Sequence, residues 1–424
     1  MMTSNAEYTE AYVWIWLPGE TNPIIAGKLE ADNNSLMFNY GKSYLERKNN
    51  TPSIPIYAPE LPMKSGILPN LDGLSMPGCI RDSAPDAWGR RVIINKKLGL
   101  KGTGTDTNTL DELTYLLESG SDRIGALDFQ RSPTEYIPRS ANNVTMEELL
   151  QSAERVEKGV PLTPEHDQAL YHGSSIGGAR PKALIEENGT KYIAKFSATS
   201  DLYSVVKAEF IAMRLAALAG IDVAPVKMVK AANKDVVLIE RFDRVKAASA
   251  DGTLDWSRKS MVSALTLFGL DDMMARYASY ETLAEIIRHR FTNPKDTLRE
   301  LFSRLLFNIL CGNTDDHARN HAAFWDGKNL SLTPAYDICP QGRSGNESGQ
   351  AMRIIGDNNL SQFKTCLSAA QKFLVSEHDA KELFEHQKSV IENNWQSVCD
   401  EAELSEVDRK LFWGRQFLNP FSAQ

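Results

Sequence analysis

The 424-residue chain contains no stretch of about 18 consecutive apolar residues, the length a helix needs to cross a bilayer. Its opening residues, Met1 to Glu10, are polar and lack a basic segment followed by an apolar run. A cytoplasmic placement is therefore expected, with no membrane partner. Cysteine is scarce: Cys79, Cys311, Cys339, Cys366 and Cys399 are scattered, odd in number and nowhere in CxxC spacing. That pattern argues against a disulfide framework or a zinc site and fits a reducing compartment. Positive charge is also short. The formal net charge is −8, so the chain as a whole is not an electrostatic binder of nucleic acid, although a local basic patch stays open. Several catalytic signatures are missing: HExxH, a Walker A loop and the kinase GxGxxG. His317 and His321 stand four apart without a third nearby ligand, and Ser174 and Ser175, although within Gly173-Ser-Ser-Ile-Gly177, lie in a run that leads into a strand and not into the helix of a nucleophile elbow. Zinc catalysis and serine hydrolysis are set aside on these grounds. No internal repeat or low-complexity tract is found.

What is present is an ordinary globular composition, 42% hydrophobic and 24% charged, in a chain long enough for two or three domains. Short apolar runs at 11–17, 24–29 and 36–40, separated by Pro18-Gly19 and Asn33-Asn34, predict a strand-rich start. Residues 82–97 and 109–118 read as helices, with Gly99 and Gly120 near their ends. The polar stretch 131–143, with two prolines, is read as a boundary. Strands are then expected at 183–186, 192–196 and 236–239. A helix between the last two carries Val205, Ala208, Ala212, Leu215 and Leu218 at helical spacing. After Asp243 helices are expected to dominate. The clearest is 297–311, where Leu298, Leu301, Phe302, Leu305, Leu306, Ile309 and Leu310 form one apolar face stopped by Gly312. A sheet-rich part followed by a helical part leaves a cleft, where small-molecule sites tend to lie.

Phosphoryl transfer needs held phosphates, one or two Mg²⁺ ions and a base for the acceptor hydroxyl. Candidates for each occur in order. The run 173–182, with Gly177, Gly178 and Ala179, lets backbone N–H groups approach phosphate oxygens, or is simply a hairpin turn. Lys195 lies within Tyr-Ile-Ala-Lys-Phe, a strand position suited to phosphates, and Glu209 early on the next helix is its natural ion-pair partner. The alternative is a solvated lysine on a strand face. Residues 237–243 form a strand leading into the inter-lobe link, where backbone groups can meet adenine. The strongest signal is Asn313-Thr-Asp-Asp-His-Ala-Arg-Asn320. Asp315 and Asn320 have the five-residue spacing of a kinase catalytic loop, although the His-Arg-Asp triplet is absent. Asp337 follows 17 residues after Asn320, behind a short strand, where a second magnesium-holding carboxylate belongs.

Together these segments resemble the bacterial HipA toxin kinases over nearly the whole chain. The resemblance is carried by Ser175-Ile-Gly-Gly-Ala-Arg-Pro-Lys182, Ile193-Ala-Lys195, Glu240-Arg-Phe-Asp-Arg244, the loop 314–320, Leu332-Thr-Pro-Ala-Tyr-Asp337 and the run 122–127. It implies an α+β, two-lobed protein-kinase-like fold with a β-rich N-terminal lobe and an all-helical C-terminal lobe. The implied division is 1–135, 136–243 and 244–424. It implies ATP and Mg²⁺ as cofactors, with Gly177, Gly178, Ala179, Arg180, Lys182 and Lys195 at the phosphates and Glu240, Arg241 and Phe242 at adenine. His317 and Tyr336 would lie near the nucleotide, Asp315 would be the base, and Asn320 and Asp337 would hold the metal. Ser175, or less favourably Ser174, matches the serine such kinases autophosphorylate to switch themselves off, an inhibition that added negative charge beside ATP explains. The implied partners are a HipB-like helix-turn-helix antitoxin and a protein substrate, with glutamyl-tRNA synthetase the leading aminoacyl-tRNA synthetase. Operator DNA would be reached only through the antitoxin. The loop departs from the family at Asp316, Arg319, Arg180 and Pro181, the last removing a backbone donor. Rival readings are a small-molecule kinase and a non-catalytic nucleotide-binding or antitoxin-binding module.

Overall fold

The computed structural model describes residues 7–48, 51–99, 106–140, 144–158, 160, 174–175, 180–198, 201–249, 252–343 and 345–424. The first region is an antiparallel sheet of β1 (Glu10–Ile15), β2 (Ile24–Asp32), β3 (Ser35–Tyr40), β4 (Ile67–Leu68) and β5 (Leu127–Gln130) in the order β4-β3-β2-β1-β5. Asn33 turns the β2–β3 hairpin with φ 53°, a left-handed conformation that asparagine tolerates. The helices of this region are α1 (Lys42–Leu45), α2 (Gly78–Arg81), α3 (Ala87–Leu98) and α4 (Glu112–Glu118). The continuous helix expected from residue 82 starts only at Ala87, because Pro85 has no N–H and holds residue 84 away from helical geometry. The one expected from 109 starts at Glu112, where the Asp111 side chain accepts from Thr114 N and fixes the first turn.

After α5 (Met146–Glu157) comes a second antiparallel sheet, β6 (Lys182–Glu187), β7 (Thr190–Phe196), β8 (Val226–Ala231) and β9 (Lys234–Glu240), ordered β6-β7-β9-β8. Helix Val205–Leu218 crosses between β7 and β8. Side chains alternate along β9 with the period of two that a pleated strand imposes. Val237 and Ile239 join the large core with Phe210 and Leu215 of the crossing helix, whereas Val236 and Leu238 join a second core with Leu149, Ala153, Trp88 and Val92. Thus α3, although it precedes the 131–143 stretch, packs on the outer face of the second sheet.

The remainder is helical in bulk but not wholly so. The expected all-helical lobe contains a hairpin, β10 (Arg244–Ala248) with β11 (Leu254–Arg258), and a three-stranded sheet of β12 (Ser260–Ser263), β13 (Ala322–Trp325) and β14 (Leu330–Leu332). Strands of three to five residues are too short to display a period, and tertiary pairing rather than local pattern makes them. Helix Pro294–Cys311 starts with proline at its first turn and buries all seven residues of its apolar face. Each is worth about 1.5–3 kcal/mol of burial. Gly312 ends it at φ 74°, with Gln416 O only 2.6 Å from where a Cβ would stand, so no other residue fits there without displacement. That anchored stop launches residues 313–320. No helix among the described residues is long and apolar enough to cross a membrane.

Candidate active site

A cavity of about 380 Å³ opens between the second sheet and the helical region. Lys182, Lys195, Glu209, Asp315, His317, Asn320, Tyr336 and Asp337 all line it, as do Arg180 and residues 240–243. Lys182 and Lys195 face each other across the β6–β7 ladder. Lys195 Nζ lies 2.5 Å from Glu209 Oε1 and also pairs with Asp337 Oδ1. Burial disfavours a charged lysine, but Asp337 and Glu209 outweigh it and keep Lys195 protonated. Burial likewise opposes ionisation of Asp337, yet Lys195 and then Lys182 hold its carboxyl well below the usual range. For Lys182 the carboxylates of Asp337, Asp86 and Glu209 offset only part of the effect: burial first, and Lys195's charge second, bring it down to about 8.

Asp337 has φ 58°, a backbone conformation that non-glycine residues adopt at a cost of about 1–2 kcal/mol. It is held there from both sides. Ala335 N donates to Asp222 O at 2.7 Å, Ala224 N donates to Ala335 O at 2.9 Å, and Tyr336 OH donates to Arg319 O at 2.7 Å. These bonds tie the Asp337 segment to the end of the crossing helix and to the catalytic loop.

Within that loop Asp315 and Asp316 play opposite parts. The Asp315 carboxylate is open to the cleft and has no side-chain hydrogen bond among the described residues. Partial burial, followed by the charges of Asp337 and Asp316, raises its pKa despite nearby His317. Asp316 is buried: Asn308 Nδ2 donates to it at 2.8 Å, His321 Nε2 lies 3.0 Å away, and Tyr280 OH donates as well. Burial opposes its charge, but His321 prevails and keeps the carboxyl low. The position that departs from the family pattern is thus the loop's anchor. The sequence held no cue to it, since Tyr280 lies 36 residues away. Asn320 Nδ2 donates to Asp315 O at 3.2 Å, which turns its amide and holds the two positions together. His317 Nδ1 is buried with no hydrogen-bond partner among the described residues.

The other expected contacts are distributed unevenly. Gly177, Gly178 and Ala179 lie outside the described residues. Arg180 lines the cavity while its guanidinium grips Asp201 at 2.6 and 2.9 Å. Ser175 Oγ donates to Asp122 O at 3.2 Å, and Ser174 Oγ accepts from Gly120 N at 3.0 Å. Phe242 stacks toward Tyr336 and Phe324, ring centroids 5.7 and 5.9 Å apart, and forms an aromatic wall. Arg241 lines the cavity, and its guanidinium bonds Asp122 Oδ1 at 3.0 Å, Asp243 Oδ2 at 2.9 Å and Arg123 O at 2.7 Å. Together with Arg244 these residues form a buried ion network joining residues 122–125 to the strand exit. Asp122 carries the run 122–127 singled out in the sequence; its structural purpose is this junction.

No cluster of three or more His, Cys, Asp or Glu suited to a metal occurs among the described residues. The donor set does fit a magnesium ion shared with phosphates: hard oxygens from Asp337 and Asn320, with few protein ligands, beside two lysines. The wall of Phe242 and Tyr336 suits a planar base.

The family model for the HipA N-terminal domain matches residues 16–130, and that for the HipA-like C-terminal domain matches residues 174–395. The serine/threonine-protein kinase toxin HipA of Shewanella oneidensis is 24% identical over 295 residues, covering 58% of this chain and 66% of that protein. A relative from Sinorhizobium fredii is 29% identical over 151 residues, 34% of this chain and 33% of its own length. The matched stretches thus fall short of two thirds of these relatives. The solved structure of Shewanella oneidensis HipA with HipB and operator DNA superposes with a TM-score of 0.68 at 20% identity, covering 95% of this chain and 93% of that one. That likeness fixes the fold.

Proposed function

Because this chain belongs to the HipA family, we propose that it is an ATP-dependent protein serine/threonine kinase and the toxin of a toxin–antitoxin pair. Bound ATP with Mg²⁺ would supply the transferable phosphoryl group and neutralise its developing charge. The chain's own residues do the positioning. Lys182 and Lys195 meet phosphate oxygens, and Glu209 keeps Lys195 in place. Asp337 and Asn320 hold the metal. Phe242 and Tyr336 enclose the base, with Glu240 and Arg241 at its edge. Asp315, with its raised pKa, accepts the proton of the acceptor hydroxyl. The observation that carries this reading is the convergence of Asp315, Asn320 and Asp337 with two lysines on one cleft.

A HipB-like helix-turn-helix antitoxin is the proposed partner, with operator DNA bound through it; the superposed HipA is itself in complex with HipB and DNA. The proposed target is an aminoacyl-tRNA synthetase, glutamyl-tRNA synthetase first among them, on the family resemblance. Self-inactivation at Ser175 requires its loop to leave the position described, because Ser175 is 2% exposed. The proposed divisions are 1–135, 136–243 and 244–424. Incubating the protein with ATP, Mg²⁺ and a bacterial lysate, then mapping new phosphosites by mass spectrometry, tests the proposal. New phosphoserine or phosphothreonine that vanishes with Asp315→Asn supports it. Label appearing only on a metabolite would replace it with a small-molecule kinase.

A further inference from the structure

Arg81 ends α2 and is 8% exposed. Its Nε and Nη2 are buried without a hydrogen-bond partner, and no ion pair reaches its guanidinium among the described residues. A cation withdrawn from water without a counter-charge costs several kcal/mol. The neighbouring charges are otherwise engaged. Asp82 accepts from Ser263 N and Oγ, both at 2.7 Å. Asp272 accepts from Arg319 at 2.7 Å, and Arg319 also lies 4.0 Å from Asp82 and Asp86. Arg90 bonds Glu112 with two contacts of 2.7 Å. Arg81 is close enough to Asp272 to help lower its carboxyl, against burial and behind Arg319. Of Arg81, Arg90 and Arg319, Arg81 is the one with no ion pair among the described residues.

The shoulder adjoins the catalytic loop. Arg319, one residue before Asn320, lines the cleft and bonds Asp272 with its guanidinium. Directly after Asp272 come Met273 and Met274, 80% and 42% exposed. Methionine suits a surface that adapts to a partner, and arginine is over-represented among residues that anchor protein interfaces.

We propose that Arg81 and the Met273–Met274 pair form a docking shoulder for the acceptor protein, taking an acidic side chain and an apolar one near the hydroxyl presented to Asp315. This rests on the kinase reading above. The acidic side chain completes Arg81's charge, and the pairing gives the enzyme a preference for hydroxyls flanked by Asp or Glu.

The test compares wild type, Arg81→Met and Met273→Ser/Met274→Ser on a dephosphorylated bacterial lysate with ATP and Mg²⁺, reading phosphosites and their flanking sequences. Wild-type sites are expected to be enriched in flanking Asp or Glu. Arg81→Met should lower transfer to those sites about tenfold or more, leaving nucleotide affinity unchanged. The Met273→Ser/Met274→Ser variant, altered on the surface, should lower it less. Arg81→Met should melt no lower than wild type, since no internal partner is lost. A lower melting point would reveal a structural partner for Arg81 and overturn the proposal. So would wild-type sites without acidic flanks, or an unchanged site profile in Arg81→Met. No transfer to any protein by wild type would instead defeat the kinase reading, and this proposal with it.

Discussion

Two regions of the molecule concentrate buried charge, and they differ in how completely it is matched. At the junction of residues 122–125 with the strand exit, Asp122, Asp243, Arg241 and Arg244 are mutually bonded, and Gly125 N adds a 2.8 Å bond to Asp243. In the cleft, among the described residues, Asp315 has no side-chain hydrogen bond and His317 Nδ1 has no partner. Matched charge acts as a joint between segments distant in sequence. A polar group left open is a site, because a ligand can still complete it.

Substitutions in the two regions should therefore separate function from stability. The largest effect belongs to Asp315→Asn, which should slow phosphoryl transfer by about 10²–10⁴-fold, the range for losing a general base, with no fall in melting temperature. Asp243→Asn should do the reverse, costing about 3–5 kcal/mol of stability in urea unfolding by leaving Arg241 and Arg244 under-compensated. Equal effects of both variants on both readouts would erase the distinction.

A pH series sharpens it. Burial opposes the charge on Asp243, but Arg241 and Arg244 pull its pKa down to about 2. A depressed carboxylate contributes stability that is fully present above its unfolded pKa near 4 and lost as pH falls toward about 2. Asp243 should account for about 2 kcal/mol of acid sensitivity in that window, absent from Asp243→Asn. The smallest effect concerns Lys182. With a pKa of about 8 in the free protein, it should gain up to roughly half a proton at pH 8 when phosphate charge arrives. Calorimetry in buffers of different ionisation enthalpy would detect that uptake, and Lys182→Met should abolish it.

The sequence exposed the site better than the joint. Asp315, Asn320 and Asp337 were legible because they follow a seven-residue apolar face and a stop glycine, at spacings that local chemistry dictates. In the first half β1, β2, β3, β6, β7 and β9 were legible through short apolar runs and turn residues, whereas β4, β5 and β8 were not. The ion pair of Arg241 was not legible, because its partner, Asp122, is 119 residues away and no local pattern announces the pair. Asp316 was noticed as unusual, but its partner Tyr280 comes from a separate helix. The strands β12 and β13 escaped for the same reason: each is defined by what it pairs with.

The most direct test is calorimetric titration of a non-hydrolysable ATP analogue into wild type and Asp337→Asn, with and without Mg²⁺. Asparagine tolerates the left-handed backbone at residue 337, so the exchange removes charge and little else. Magnesium should tighten binding to wild type and leave the variant's affinity nearly unchanged. An equal gain from magnesium in both proteins would place the metal elsewhere and contradict a shared magnesium-nucleotide centre.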